Sequence, residues 1–318
     1  MTKQIILLAL VLYMGSSAAG VSGPASRALL KDMGARYGFP SPSRAGDKIT
    51  LKSRYTTMVF KTNSRRLLFN GILLWLNRPL VKEGDHWTLT RADVTKVIDP
   101  LLRPNQALAG VRFSTVVLDP GHGGKDTGAV GRRNVYEKKA VLDIAKRVRT
   151  KLRASGLTVQ LTRERDSTLS LSARTIKARE WGADVFVSIH LNSAHNTTAT
   201  GIETYALPPA GQPSTAGNND SKFYPGNKYD QANTLLAYYV QKELLAQSKG
   251  ADRGIRRARF DVLQSAPCPA ILVECGFVSN KIEERKILQR TYRDRIAAGI
   301  ARGILAYTSQ VAAGLQSK

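Results

Sequence analysis

The sequence predicts an α/β protein: an open, mostly parallel sheet with helices on both faces, preceded by a small α+β module. Three observations carry this. From Phe113 onward, short apolar runs alternate with segments whose apolar residues recur at three- and four-residue spacing, the mark of strands alternating with helices. Between residues 47 and 103 the apolar runs are short, close together and joined by turn residues, as in antiparallel strands. The chain has 318 residues and is 42% hydrophobic, enough for one large domain and a smaller one.

The start reads as an address. Lys3 precedes an apolar run from Ile5 to Met14, and small residues follow through Gly20. That is a signal peptide, 1–19, cleaved after Ala19. The run is too short to span a bilayer, which takes ~20 apolar residues, and no transmembrane span is expected elsewhere. Residues 20–46, rich in Gly, Ser, Pro and Arg, read as a linker.

The small accessory module, 47–103, begins with apolar runs at Ile49–Leu51, Tyr55–Phe60, Arg66–Phe69 and Ile72–Leu76. Asn70-Gly71 between the last two is a hairpin signal, because both central positions of a type I′ turn take positive φ. Trp87-Thr88-Leu89 is a further strand. Thr90 is placed to cap a helix through Val94, Val97 and Ile98, which Pro100 and Pro104 should end. This order is similar to the copper amine oxidase N-terminal-like module of secreted wall enzymes. His86 is the module's only histidine and it holds no cysteine, so no copper is expected there.

The second part, 111–310, starts with a buried strand at Val116–Asp119. Helices are expected over 137–154, 171–181, 232–246 and 283–307. Further strands are expected over 157–162, 184–189, 201–205 and 270–274. Residues 207–231 form a long loop rich in Pro, Gly and Asn.

Charge narrows the partners. Lys and Arg number 48 against 24 Asp and Glu, a net charge of +24. The excess lies in both parts, not in a tail or one helix. No helix-turn-helix spacing, zinc finger or RNA-binding aromatic signature accompanies it, so no nucleic acid is expected. Secretion and diffuse positive charge favour an anionic polymer outside the cytoplasm. Cys268 and Cys275 flank a predicted strand that sets them ~20 Å apart, beyond the ~7 Å a disulfide allows. Both are expected reduced and buried.

Four residues point to chemistry. His122 lies in the loop leaving the first strand of this part, and His190 follows another strand; in open α/β sheets sites form at the carboxyl ends of strands. Glu274 ends the run Ala-Ile-Leu-Val-Glu, where a carboxylate is costly to bury without a partner. Glu137 starts a helix. Two histidines and a glutamate with a free fourth position make a hydrolytic zinc site, and a further carboxylate is then needed to move the proton of the attacking water. Each residue also has a plainer reading: a turn residue, a core histidine, a helix-start charge, or, for Glu274, an ion-pair partner of Arg256 or Arg259.

The motifs Val117-Leu-Asp-Pro-Gly-His-Gly-Gly, Tyr136-Glu137-Lys138, Leu161-Thr-Arg163, Ser188-Ile-His190-Leu-Asn192, Gly201-Ile-Glu203-Thr-Tyr205 and Leu272-Val-Glu274-Cys-Gly-Phe277 occur in that order. Over residues 113–308 the chain resembles the zinc-dependent N-acetylmuramoyl-L-alanine amidases of the Amidase_3 type. The resemblance implies Zn2+ held by His122, Glu137 and His190, and Glu274 as catalytic base. It implies Asn192, Arg256 and Arg259 as substrate-binding positions. The implied reaction cleaves the amide between N-acetylmuramic acid and L-alanine of peptidoglycan, in the periplasm or secreted to the envelope, with an envelope activator as a possible partner. A non-catalytic wall-binding protein and a zinc peptidase or deacetylase acting on another envelope substrate are the alternatives.

Overall fold

The computed structural model describes residues 26–108, 113–217 and 219–316. The predicted signal peptide, 1–19, lies outside the described residues. Among these, no helix is long and apolar enough to cross a membrane.

The first part is an antiparallel assembly of seven strands: β1 (Arg27–Leu29), β2 (Ser43–Ala45), β3 (Lys48–Lys52), β4 (Thr57–Lys61), β5 (Ser64–Phe69), β6 (Ile72–Glu83) and β7 (His86–Thr90). Asn70 and Gly71 both take positive φ, 48° and 84°, so the β5–β6 hairpin turns as its sequence predicts. The stretch read as a linker is ordered from Arg27 onward. There β1 pairs with β7, and a helix over Leu30–Arg36 buries Leu30 and Met33 in the module's core. Its Gly- and Ser-rich composition hid three apolar anchors, Leu30, Met33 and Phe39.

The helix capped by Thr90 does not stop at Pro100. One wider turn spans Val94–Ile98, in which the Asp99 N–H reaches back to the Val94 carbonyl, and the helix continues as Asp99–Leu102. The carbonyls of Thr95 and Lys96 accept instead from Gln231 Nε2 and Thr234 Oγ1 of a later helix. A proline, which brings no N–H, is tolerated because these side chains take up the carbonyls.

The second part contributes β8 (Thr115–Pro120), β9 (Thr158–Leu161), β10 (Val185–Asn192), β11 (Ile202–Ala206), β12 (Asp252–Arg257) and β13 (Ala270–Phe277). Strand order across the whole sheet is β2-β3-β4-β5-β6-β12-β11-β13-β10-β8-β9. The pairs β8–β9, β8–β10, β10–β13, β11–β12 and β6–β12 are parallel, and β11–β13 is antiparallel. The two parts therefore share one sheet through β6 and β12, with Leu74 opposite Ile255. The Leu73 N–H donates to Asp252, and Trp75 Nε1 donates to the Arg253 carbonyl. β12 is absent from the sequence reading because Asp-Arg-Gly-Ile-Arg-Arg shows no apolar alternation.

Helices cover both faces, as the apolar runs demand. On one face lie helices Glu137–Arg153, Asp230–Ser248 and Arg290–Gln316, over Val116, Leu118, Val187, Ile271 and Val273. On the other, Leu171–Glu180 and the short Asp261–Gln264 cover Val117, Phe186 and Leu272. The helix expected over 283–307 is two, Lys281–Leu288 and Arg290–Gln316, separated by an extended Gln289. Arg293 takes the carbonyls of Ile287 and Leu288 that the break releases. Cys268 and Cys275 are free and buried.

Candidate metal centre

Three parallel strands aim their carboxyl ends at one place. β8 runs into the loop carrying His122, β10 carries His190, and β13 carries Glu274 directly opposite His190 in register. Glu137 opens the helix that follows the His122 loop. The ligand atoms offered by His122, Glu137 and His190 all lie within 4.8 Å of one another.

Glu137 Oε1 is the hub. It stands 3.2 Å from His122 Nε2 and 3.0 Å from His190 Nδ1, and also accepts from the Leu191 N–H at 3.0 Å. Its Oε2 accepts from the Ala129 N–H at 2.8 Å. Burial alone would raise the Glu137 carboxyl, but the two imidazoles hold it well below the usual carboxylate range. Burial opposes charge on His122, and hydrogen bonds to Glu137 and Asp126 outweigh it and raise the imidazole.

The backbone is shaped to let these side chains meet. His122 sits at φ 59°, a conformation L residues rarely adopt. Gly121 passes so close to the His190 ring that a Cβ there would lie 2.2 Å from Cε1. Asp126 Oδ2 meets His122 Nδ1 at 2.8 Å, orienting the ring and leaving Nε2 for the centre. Asp126 was not singled out in the sequence; its signal is a carboxylate four residues after a ligand-type histidine.

Glu274 differs from the other acid groups. Its Oε2 is shut away from solvent and has no hydrogen-bond partner. Burial, then the charges of Glu137 and Glu203, raise its carboxyl well above the usual range. It pairs with neither Arg256 nor Arg259. With His122 and His190 it lines a cavity of about 530 Å3, whose apolar side includes Leu171, Phe260 and Leu272.

Of the three residues expected to meet substrate, Arg259 lines this cavity. Asn192 and Arg256 lie outside its lining and are bound to Glu203, Asn192 Nδ2 at 2.6 Å and Arg256 Nε at 2.8 Å. Arg256 also lies over the Trp75 ring and lines a neighbouring cavity. Glu203, 2% exposed, is buried with Arg253 and Arg256 as its counter-charges. It stood within a motif, yet nothing in the sequence showed which cations would surround it.

The residues fit a divalent metal. Two imidazoles and one carboxylate converge, a glycine makes room, and an unpartnered carboxylate oxygen stands beside them.

Comparison with known proteins agrees. The sequence profile of N-acetylmuramoyl-L-alanine amidases (Amidase_3) matches residues 116–306. The amidase AmiA of Escherichia coli is 32% identical over 271 residues, 77% of this chain and 92% of AmiA. The amidase LytC of Bacillus subtilis is 36% identical over 219 residues, 69% of this chain; the match spans only 39% of LytC. Among solved structures, the CwlD amidase of Clostridioides difficile, in complex with the GerS lipoprotein, superposes with a TM-score of 0.53 at 30% identity, covering 62% of this chain and 98% of CwlD. The chain belongs to the N-acetylmuramoyl-L-alanine amidase family.

Proposed function

We propose that this chain is a zinc-dependent amidase that hydrolyses the bond between N-acetylmuramic acid and the L-alanine of peptidoglycan stem peptides, outside the cytoplasm. The observation that carries the reading is the unpartnered Glu274 oxygen beside the converged His122, Glu137 and His190. Family membership supports the bond that is cut.

His122, Glu137 and His190 would hold the zinc. When bound, it would act as a Lewis acid on the scissile carbonyl and make water acidic. Glu274 takes the proton of the attacking water and returns it to the departing amine, a role suited to a carboxyl whose affinity for protons is raised by burial. Leu171, Phe260 and Leu272 give the cavity an apolar side against which the uncharged part of the substrate can pack. Arg259 lines the same cavity, with its guanidinium held beside Asp220 and the Gln212 carbonyl, and adds positive charge to the wall that would face the carboxylates of the stem peptide.

The signal-like start supports an extracytoplasmic location. CwlD was solved with a lipoprotein partner, which supports the expectation of an envelope activator.

Digestion of purified sacculi, followed by mass spectrometry with and without a chelator, tests the reading. Free stem peptides beginning with L-alanine, lost on chelation and restored by zinc, are expected. Products cut elsewhere in the peptide or deacetylated glycan would replace this reading with another zinc hydrolase; binding without release would replace it with a wall-binding protein.

A further inference from the structure

Two arginines lie buried beneath the metal centre, and the mechanism above uses neither. Arg163 and Arg174 are each 3% exposed. Arg174 is paired with Asp119 at 2.7 Å. Arg163 has no carboxylate within ion-pair distance among the described residues. Its guanidinium instead bonds only to backbone carbonyls.

The carbonyls it selects are informative. Nε donates to Pro120 O at 2.9 Å and Nη2 to Gly121 O at 2.7 Å. Nη2 also donates to Lys138 O at 2.8 Å, and Nη1 to Arg165 O at 3.2 Å. Pro120 and Gly121 lead into His122, whereas Lys138 follows Glu137. One side chain therefore ties together the two backbone segments that carry two of the three metal-ligating residues. Arg174 reinforces the first segment, donating to Pro120 O at 3.0 Å and His122 O at 3.0 Å.

This arrangement suits what the loop requires. His122 is held at positive φ, and the loop's glycines do not resist other conformations. A planar fork with five donors can span carbonyls from two segments; an ammonium concentrates its donors at one point. A buried cation is unfavourable unless its donors are met; here the oriented carbonyls meet them, while the charges of Asp119, Asp166 and Asp126 act from beyond contact distance.

We propose that Arg163 is a positioning residue that sets the spacing of His122 and Glu137 for metal binding. The proposal rests on the metal-centre reading. It concerns affinity for the ion, through the geometry of the apo loop, and is independent of which bond is hydrolysed.

The test uses the full mature chain with Arg163→Lys and Arg163→Gln. Zinc affinity is measured by competition with a chromophoric chelator, alongside the thermal midpoint of the metal-free protein. If wild type binds no zinc, the metal-centre reading fails and the proposal with it. If wild type binds zinc, both variants should bind 10–100-fold more weakly, the range typical of groups that orient metal ligands. Affinity within twofold of wild type overturns the proposal, including where the thermal midpoint falls, since that marks a purely structural arginine. Should neither variant fold without metal, zinc is titrated during refolding. Recovery only at tenfold or more above the wild-type zinc concentration supports the proposal; recovery at the wild-type concentration, or none at any, overturns it.

Discussion

Glu203 and Glu274 stand opposite each other across the antiparallel ladder of β11 and β13, and their surroundings are opposite in kind. Glu203 is bound by Asn192, Tyr205, Arg253 and Arg256. Glu274 keeps one oxygen without a partner. The saturated acid holds the strand's end in place, and its negative charge, after burial and Glu137, helps raise its neighbour's carboxyl.

Glu274→Gln keeps the shape of the side chain and removes its ability to take a proton. The expected loss in kcat is about 10²–10⁴-fold. Zinc content, measured by atomic absorption, should match wild type. Wild-type turnover by this variant would remove Glu274 from the reaction.

Glu203→Gln leaves Arg253 and Arg256 without a counter-charge and weakens the acceptor for Tyr205. Stability should fall by roughly 1–3 kcal/mol, read by urea unfolding. The same variant should lower the pH at which Glu274 ionises, since one of the charges that raises its carboxyl is gone. The acidic limb of the activity profile should move to lower pH.

Gly121→Ala would place a methyl group against the His190 ring, 2.2 Å from Cε1 by the backbone as it stands. Either the loop or the ring must yield. Zinc affinity should fall roughly 10–100-fold, while far-UV circular dichroism stays that of the wild type. An unchanged affinity in the chelator competition would show that the loop adapts freely.

Asp143 binds Arg147 of its own helix, at 2.8 Å, and is joined to helix Arg290–Gln316 through Arg293, at 2.5 Å. Burial alone would raise its carboxyl; the two guanidinium groups hold it below the ordinary value. A depressed folded-state pKa gives stability that is present above the unfolded value of about 4 and lost as pH falls through the folded one. Asp143→Asn should therefore lower the thermal midpoint at pH 7, and the gap to wild type should close as pH falls below about 4. A gap that persists at pH 2 would place the effect elsewhere.

Removing residues 26–108 should do more than detach an accessory. It would bare the edge of β12 and take Asp93, one of the two acids whose charge acts on the fully buried Arg257. An exposed strand edge beside a buried cation left with Asp230 alone favours association. Size-exclusion chromatography of residues 113–316 should show aggregates; a stable, soluble monomer would contradict this.

Much of the second part is legible in the sequence because burial on both faces imposes near-continuous apolar runs, as in β10 and β13, and His122, His190 and Glu274 follow from where those runs end. What escaps the reading is set by contacts between distant residues. β12 is polar because the ion pairs of Arg253 and Arg256 with Glu203 and the bonds of Asp252 to Leu73 and Gln241, not apolar alternation, hold it between β6 and β11. Asn192 and Arg256 belong to a motif and a basic cluster that suggest a pocket wall, yet only the fold brings Glu203 between them. Pro100 fails to end its helix because Gln231 and Thr234, more than 130 residues away, take the orphaned carbonyls. Local sequence cannot announce such partners.

The ladder between β6 and β12, tied by Leu73 to Asp252 and Trp75 to Arg253, joins the front of the molecule to its cleft in one sheet. Whatever grips the first seven strands thereby sets the bearing of the reactive groups, as a handle sets the angle of a blade. Reorientation toward a new bond would then require the whole particle to turn.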